Sequence, residues 1–173
     1  MSSQASDENI PGLNISNVTA WLENNVSGAL GPFLFEVIAG GHSNLTFKVT
    51  SSNGQRFVLR RPPLGHVLAS AHDMGREHRL ISALSTTNVP VAPAVGFCED
   101  LEVNGAPFYV MNFVDGVVLD NAEKAALLDK SLRRSASFNL IDVLCELHGV
   151  DIDAVGLGNL AKRKGYIERQ IKR

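Results

Sequence analysis

Glu77 is the residue whose position asks most of its surroundings. Counting about 100° per residue along residues 70–84 puts Met74, Leu80, Ile81 and Leu84 on one arc roughly 120° wide, with Glu77 near its middle. The stripe should face inward. An unpaired carboxylate there would be costly or take up a proton, so the pattern predicts a cation from a neighbouring element. Arg60, at the end of an alternating run just before Pro62 and Pro63, is the nearest candidate. Ahead of both, Gly40, Gly41, His42, Ser43 and Asn44 join two further alternating runs. Glycines let a backbone approach an anion, and successive N–H groups with the Ser43 hydroxyl can cradle phosphate oxygens. Each feature alone has a plainer reading: a hairpin turn at 40–44, and an edge-strand cation reaching to water at Arg60. Their conjunction in chain order points to a nucleotide's phosphates.

Two other motifs bear on the same chemistry. Met111, Asn112, Phe113 and Val114 follow an apolar run and precede a polar turn, and backbone groups at such an exit can hydrogen-bond a flat heterocycle. An ordinary strand end fits those residues equally well. His148, Gly149, Val150 and Asp151 look like a catalytic His-Gly-Asp with one residue too many, and His148 continues a helical stripe, so it reads as a structural helix end. His42, His66, His72 and His78 have no ligand at a paired interval on a common face, so no metal site is expected.

The elements that would position these groups are legible from period and punctuation. Val18, Trp21, Leu22, Val26 and Ala29 recur at helical spacing, with Ser16 or Asn17 as N-cap and Gly31 with Pro32 as the stop. Phe33, Phe35 and Val37 then alternate with Leu34, Glu36 and Ile38. Leu45, Phe47 and Val49 alternate with Thr46, Lys48 and Thr50, and Asn53 with Gly54 makes a tight hairpin into Phe57, Val58, Leu59 and Arg60. Ser70 and Asp73 form the start of the helix carrying Glu77, which should end near Thr86. A strand around 95–98, a turn at Asn104 and Gly105, and a strand over 108–113 complete five strands. Beyond Asp115 and Gly116 the character is helical: Leu127, Leu128 and Leu132, then Phe138, Ile141, Leu144, Cys145 and His148 along one face, and a last helical start at Tyr166.

At 173 residues and 45% hydrophobic the chain can bury a core, and 16 basic against 18 acidic residues give a net charge of −2 that makes no case for nucleic acid or an anionic membrane. The basic residues Lys162, Arg163, Lys164, Arg169, Lys172 and Arg173 read as a solvated face. Cys98 and Cys145 read as buried free thiols. With no signal-peptide pattern and no run near the ~20 apolar residues of a membrane span, a cytoplasmic protein is expected.

A Gly-rich turn, a strand cation and an inward helix Glu are how a kinase N-terminal lobe holds nucleotide phosphates. Gly-Gly-His-Ser-Asn at 40–44, Phe-Val-Leu-Arg-Arg-Pro-Pro at 57–63, Gly-Arg-Glu-His-Arg at 75–79, Pro-Phe-Tyr-Val-Met-Asn-Phe-Val-Asp-Gly at 107–116 and Leu-His-Gly-Val-Asp at 147–151 resemble the aminoglycoside phosphotransferase and choline-kinase-like family. The similarity runs from about residue 13 onward and is specific in particular to members fused to acyl-CoA dehydrogenases. It implies an α+β, protein-kinase-like N-terminal lobe, a five-stranded antiparallel sheet plus helix, with the first helices of a C-terminal lobe. Its boundaries would be a polar leader over 1–12, a nucleotide-binding lobe over 13–113, and a hinge with an incomplete helical lobe over 114–173.

The resemblance further implies ATP and magnesium as cofactors and a small-molecule hydroxyl as acceptor. Gly40, Gly41, His42, Ser43 and Asn44 would cover the phosphates, Arg60 would stand where the family has a phosphate-binding lysine, Glu77 would orient it, and Met111, Asn112 and Val114 would lie at adenine. The family's His-Gly-Asp-x-x-x-x-Asn loop and later metal-binding Asp have no counterpart here. The expectation is therefore an N-terminal part that is inactive alone, with no catalytic residue and no metal ligand of its own; a nucleotide-binding or regulatory module is the alternative. The apolar helix face along Phe138, Ile141, Leu144 and Cys145 should be exposed and promote association.

Overall fold

The structure, a computed structural model, describes residues 10–38, 44–65, 72–160 and 162–172. In chain order its elements are α1 (Ile15–Asn25), β1 (Leu34–Val37), β2 (Leu45–Thr50), β3 (Arg56–Arg61), α2 (Met74–Leu84), β4 (Ala94–Cys98), α3 (Leu101–Asn104), β5 (Phe108–Asn112), α4 (Ala122–Ala126), α5 (Lys130–His148) and α6 (Tyr166–Ile171). The five strands make one antiparallel sheet in the order β1-β2-β3-β5-β4, so the expected α+β class and five-stranded sheet are present. The chain divides into two compact units, residues 1–78 with 92–113 and residues 79–91 with 114–173.

In the first unit the period of two separates an apolar face from a polar one. Phe47, Val49, Phe57, Leu59, Phe108 and Val110 are buried in one cluster with Val18 and Leu22 of α1. Each large side chain buried this way contributes about 1.5–3 kcal/mol relative to exposure. The opposite face carries Thr46, Lys48, Val58, Arg60, Tyr109 and Met111, brought together by the register Thr46↔Arg60, Lys48↔Val58, Val58↔Met111 and Arg60↔Tyr109. Arg61, one residue on from Arg60, therefore points the other way. It is 7% exposed, and it donates to the carbonyls of Gly12, Asn104 and Pro62. Burial lowers its pKa from the ordinary guanidinium value. Asn104 in turn accepts from the Asn14 N–H at 2.8 Å, and Asn17 Nδ2 donates to the Glu102 carbonyl at 3.1 Å, which fastens the start of α1 beside α3.

Several local expectations need correction. Asn14, not Ser16 or Asn17, caps α1, accepting from the Asn17 N–H, and the helix stops at Asn25 with Ala29 buried beyond it. In β1 only Phe35 is buried, while Val37 is exposed, because edge strand β1 pairs only with β2. The β2–β3 connection is wider than a two-residue hairpin: Ser51 N–H bonds the Gln55 carbonyl across residues 52–54, with Gly54 at φ 85°. Helix α2 begins at Met74, with Asp73 accepting from the Arg76 N–H, and Ser70 lies outside the described residues. Met74 and Leu84 are buried, but Leu80 is exposed. The short α3, capped by Asp100 and ended by Gly105 at φ 67°, replaces the simple turn expected at 104–105.

The second unit is helical. Asn121 caps α4, Asp129 caps α5 by accepting from the Leu132 N–H, and Gly149 ends α5 immediately after His148. No residue of α5 is buried; Phe138, Ile141 and Leu144 are exposed as expected, along with Leu140 and Leu147. Cys145 is exposed rather than buried, since it belongs to that open face, whereas Cys98 is buried in the first unit, where burial pushes its thiol up. Leu84, Val89 and Leu157 are buried apolar residues of this unit, and Arg79 reaches the Gly156 carbonyl. Arg163 pairs with Asp153, and Arg169 donates to the carbonyls of Lys164 and Lys162, so these two cations of the basic cluster have local roles. No helix among the described residues is long and apolar enough to cross a membrane.

Gly96 shows how closely α1 sits on the sheet. A Cβ there would lie 2.8 Å from the Trp21 ring, which packs edge-on against Phe108 at 4.9 Å between centroids. Gly96→Val should destabilise the first unit by about 1–3 kcal/mol through overpacking. Urea unfolding followed by the fluorescence of Trp21, the single tryptophan, measures the effect; an unchanged midpoint would show that the ring yields without cost.

Candidate nucleotide-phosphate site

Glu77 lies on the first turn of α2, and its two carboxylate oxygens have different partners. Arg60 Nη2 lies 3.6 Å from Oε2, and the Tyr109 hydroxyl donates to the same oxygen at 3.1 Å. Asn44 Nδ2 donates to Oε1 at 2.9 Å. The expected pairing of Arg60 with Glu77 is thus present. Both side chains are 31% exposed, so the pair sits at the edge of the core and its direct contribution is on the order of 1 kcal/mol. Direction matters more than strength here: Glu77 holds one edge of the guanidinium, and Arg60 Nε is buried with no hydrogen-bond partner among the described residues.

Tyr109 and Arg60 are direct cross-strand partners, which is why both reach one carboxylate oxygen. Burial pushes the Tyr109 phenol up to about 12; the Arg60 guanidinium pulls against this, and the Glu77 carboxylate adds to it. Asn44 has a second partner, His72 Nδ1, 2.8 Å from its Oδ1. Next to Glu77, His78 stacks on Phe97 with ring centroids 4.9 Å apart, and burial lowers its pKa.

Among the remaining predicted site residues, Gly40, Gly41, His42 and Ser43 lie outside the described residues. Met111 is half-buried opposite Val58. The Asn112 N–H donates to the Pro93 carbonyl at 2.9 Å and the Phe113 N–H to the Arg56 carbonyl at 3.1 Å, so both donors are already engaged within the protein. Val114 is exposed and is the first residue of the second unit's later segment. Phe113, one of the four strand-exit residues read from the sequence but not among those assigned to a ligand, lies beneath Arg56 at 5.2 Å and Lys48 at 5.9 Å. Tyr109 was missed, although its alternation with Phe108 and Val110 places it on the face of Arg60. Asp151 Oδ1 accepts from the N–H groups of Asp153 and Ala154, a turn-capping role in keeping with a structural reading of residues 148–151. No group of three or more His, Cys, Asp or Glu among the described residues is placed to hold a metal ion.

This geometry can be set beside known proteins. A family model described as the phosphotransferase enzyme family, APH, matches residues 35–173. The chain belongs to that family. Acyl-CoA dehydrogenase family member 10 of Mus musculus is 34% identical over 157 residues, covering 87% of this chain and 14% of its own length. Acyl-CoA dehydrogenase family member 11 of Gallus gallus is 35% identical over 133 residues, covering 77% of this chain and 17% of its own. The crystal structure of a "putative aminoglycoside phosphotransferase" from Ralstonia eutropha JMP134 is 35% identical, superposes with a TM-score of 0.73, and covers 91% of this chain and 45% of that one. The chain therefore spans less than half of that phosphotransferase and under a fifth of these two curated relatives. The kinase-like N-terminal lobe read from the motifs is the fold observed.

Two titrations follow. Tyr109 should ionise only at about 12. An absorbance difference titration against Tyr109→Phe in which the Tyr109 phenol ionises near about 10 without unfolding would contradict its burial. For His78 the folded pKa is depressed below the ordinary 6.5, so the unfolded chain takes up its proton first. The stability tied to neutral His78 is complete above about pH 6.5 and is lost as pH falls through the folded value. His78→Gln should flatten the decline in urea midpoint between about pH 7 and 5, and an identical decline in the variant would remove His78 as its source.

Proposed function

We propose that the chain is the nucleotide-holding N-terminal part of an ATP-dependent phosphotransferase acting on the hydroxyl of a small molecule. The observation that carries this reading is the Arg60 guanidinium, oriented by Glu77 on the polar face of the sheet with Nε buried and unpartnered among the described residues. A phosphate oxygen is the kind of acceptor that such an N–H accommodates, through a charge-assisted hydrogen bond. ATP thus fits the residues present. Arg60 would bind a phosphate and Glu77 would orient it. The backbone of Asn112 would hold adenine. Such a role places the protein where ATP is abundant, in the cytoplasm.

Magnesium, when bound in this family, neutralises charge on the phosphates. The described residues do not fit it, and no step is assigned through it. Asp151 favours the second reading, a nucleotide-binding module without chemistry of its own, because the carboxylate nearest in sequence to a His-Gly pair is occupied with backbone N–H groups. Both readings share the cradle and differ in whether a catalytic base is added from elsewhere.

Calorimetry with ATP and magnesium should give weak binding, since Arg60 is the cation assigned to the phosphates and no group of three or more His, Cys, Asp or Glu among the described residues could hold a metal ion. Arg60→Ala should remove that heat, and the chain alone should transfer no phosphate to a small alcohol above background. Submicromolar affinity, or affinity indifferent to Arg60→Ala, would overturn the assignment of the site.

A further inference from the structure

We infer that Asn44 and Tyr109 are positioning residues that clamp the Glu77 carboxylate against Arg60, and that Asn44 acts through Glu77 and not as a nucleotide contact. This deepens the nucleotide reading and rests on it for its functional consequence. A carboxylate oxygen can only accept, so the end of the Asn44 amide at 2.9 Å from Glu77 Oε1 is its NH2 group. Its carbonyl then faces His72 Nδ1 at 2.8 Å, which must present its N–H. Both ends of the amide are engaged, and the acceptor-only carboxylate leaves it no choice of flip. An Asn whose amide is fixed in this way is poorly placed to follow a phosphate.

Tyr109 works from the other side. Its hydroxyl shares Oε2 with Arg60, and its ring is fully buried, so the phenol is a rigid stop for the carboxylate. Glu77 is held by three groups from separate parts of the chain: the residue preceding β2, strand β3 and strand β5. With the carboxylate unable to rotate, Arg60 Nη2 stays beside Glu77 and the guanidinium keeps one orientation. Asn44 also joins the residue directly after the 40–43 segment to the first turn of α2 and to His72 ahead of it, so the parts of the cradle share one hydrogen-bonded centre.

The test is a double-mutant cycle on the whole chain with two readouts. The first is the affinity for magnesium-ATP by ligand-observed NMR, which reaches weak binding. Asn44→Ala and Tyr109→Phe should each weaken it several-fold in the otherwise unchanged protein, and each by less than about twofold once Glu77→Ala is present, because interacting sites are non-additive. Equal losses in both backgrounds would show that Asn44 touches the nucleotide itself and overturn the inference. The second readout is the side-chain 15Nε relaxation of Arg60 without nucleotide; the hydrogen bonds of the Asn44 amide run to Glu77 and His72, so a merely local effect of Asn44 would not move it. Asn44→Ala should free Arg60 toward the mobility seen in Glu77→Ala, and an unchanged signal would overturn the clamp. If the unmodified chain binds no ATP, the nucleotide reading falls while the relaxation data still decide the clamp. Tyr109→Phe keeps the buried ring and so separates loss of the hydroxyl from loss of folding.

Discussion

A half-buried carboxylate on the first turn of α2 is the constraint around which the first unit is arranged. Glu77 is too enclosed to be solvated on all sides and has no cation on its own helix face, so its acceptors must be met by groups from elsewhere in the chain. Strand β3 supplies a guanidinium, strand β5 a phenol, and the residue before β2 an amide. Each donor comes from a different element, and their agreement on one carboxyl group ties the start of α2 to the centre of the sheet. Removing the carboxylate would leave the Tyr109 hydroxyl and the Asn44 amide without acceptors as well as releasing Arg60, and each stranded buried group costs about 1–3 kcal/mol.

The sheet makes this possible by dividing its labour between two faces. One face is apolar and packs with α1 into the cluster containing Leu22, Phe47, Leu59 and Phe108. That cluster carries the stability of the unit, and it leaves the other face free to hold charged and hydroxylic side chains. Two adjacent arginines illustrate the separation. Arg61 points to the α1 side, where carbonyls of Gly12, Asn104 and Pro62 surround it. Arg60 points to the α2 side, where Glu77 meets it. A guanidinium with three carbonyl partners is a structural tie; one beside a carboxylate at 3.6 Å and the Tyr109 hydroxyl, with an unpartnered Nε, has capacity left for a ligand.

The second unit has a different character. Its longest helix, α5, buries none of its residues, and Phe138, Leu140, Ile141, Leu144 and Leu147 lie exposed along it. Family membership gives that surface a context: the chain covers 45% of a solved phosphotransferase of similar sequence, so more than half of that fold has no equivalent among these residues.

What the sequence determined by itself is what local period and side-chain type dictate. Alternation fixes which residues of β2, β3 and β5 share a face, helical spacing puts Glu77 on the stripe of α2, and a carboxylate so placed demands a cation; Arg60 followed from that demand. Glycines and prolines located the turns to within a few residues. Tertiary structure decided everything that depends on which elements are neighbours. That Tyr109 stands directly opposite Arg60 is a matter of strand register between β3 and β5, and that Asn44 reaches α2 depends on a contact across 33 positions of sequence. Val37, Leu80 and Cys145 have core-like types, yet burial is conferred by an opposing surface, and none of them is buried. Side-chain chemistry states what a residue needs; only the packed chain determines which neighbour supplies it.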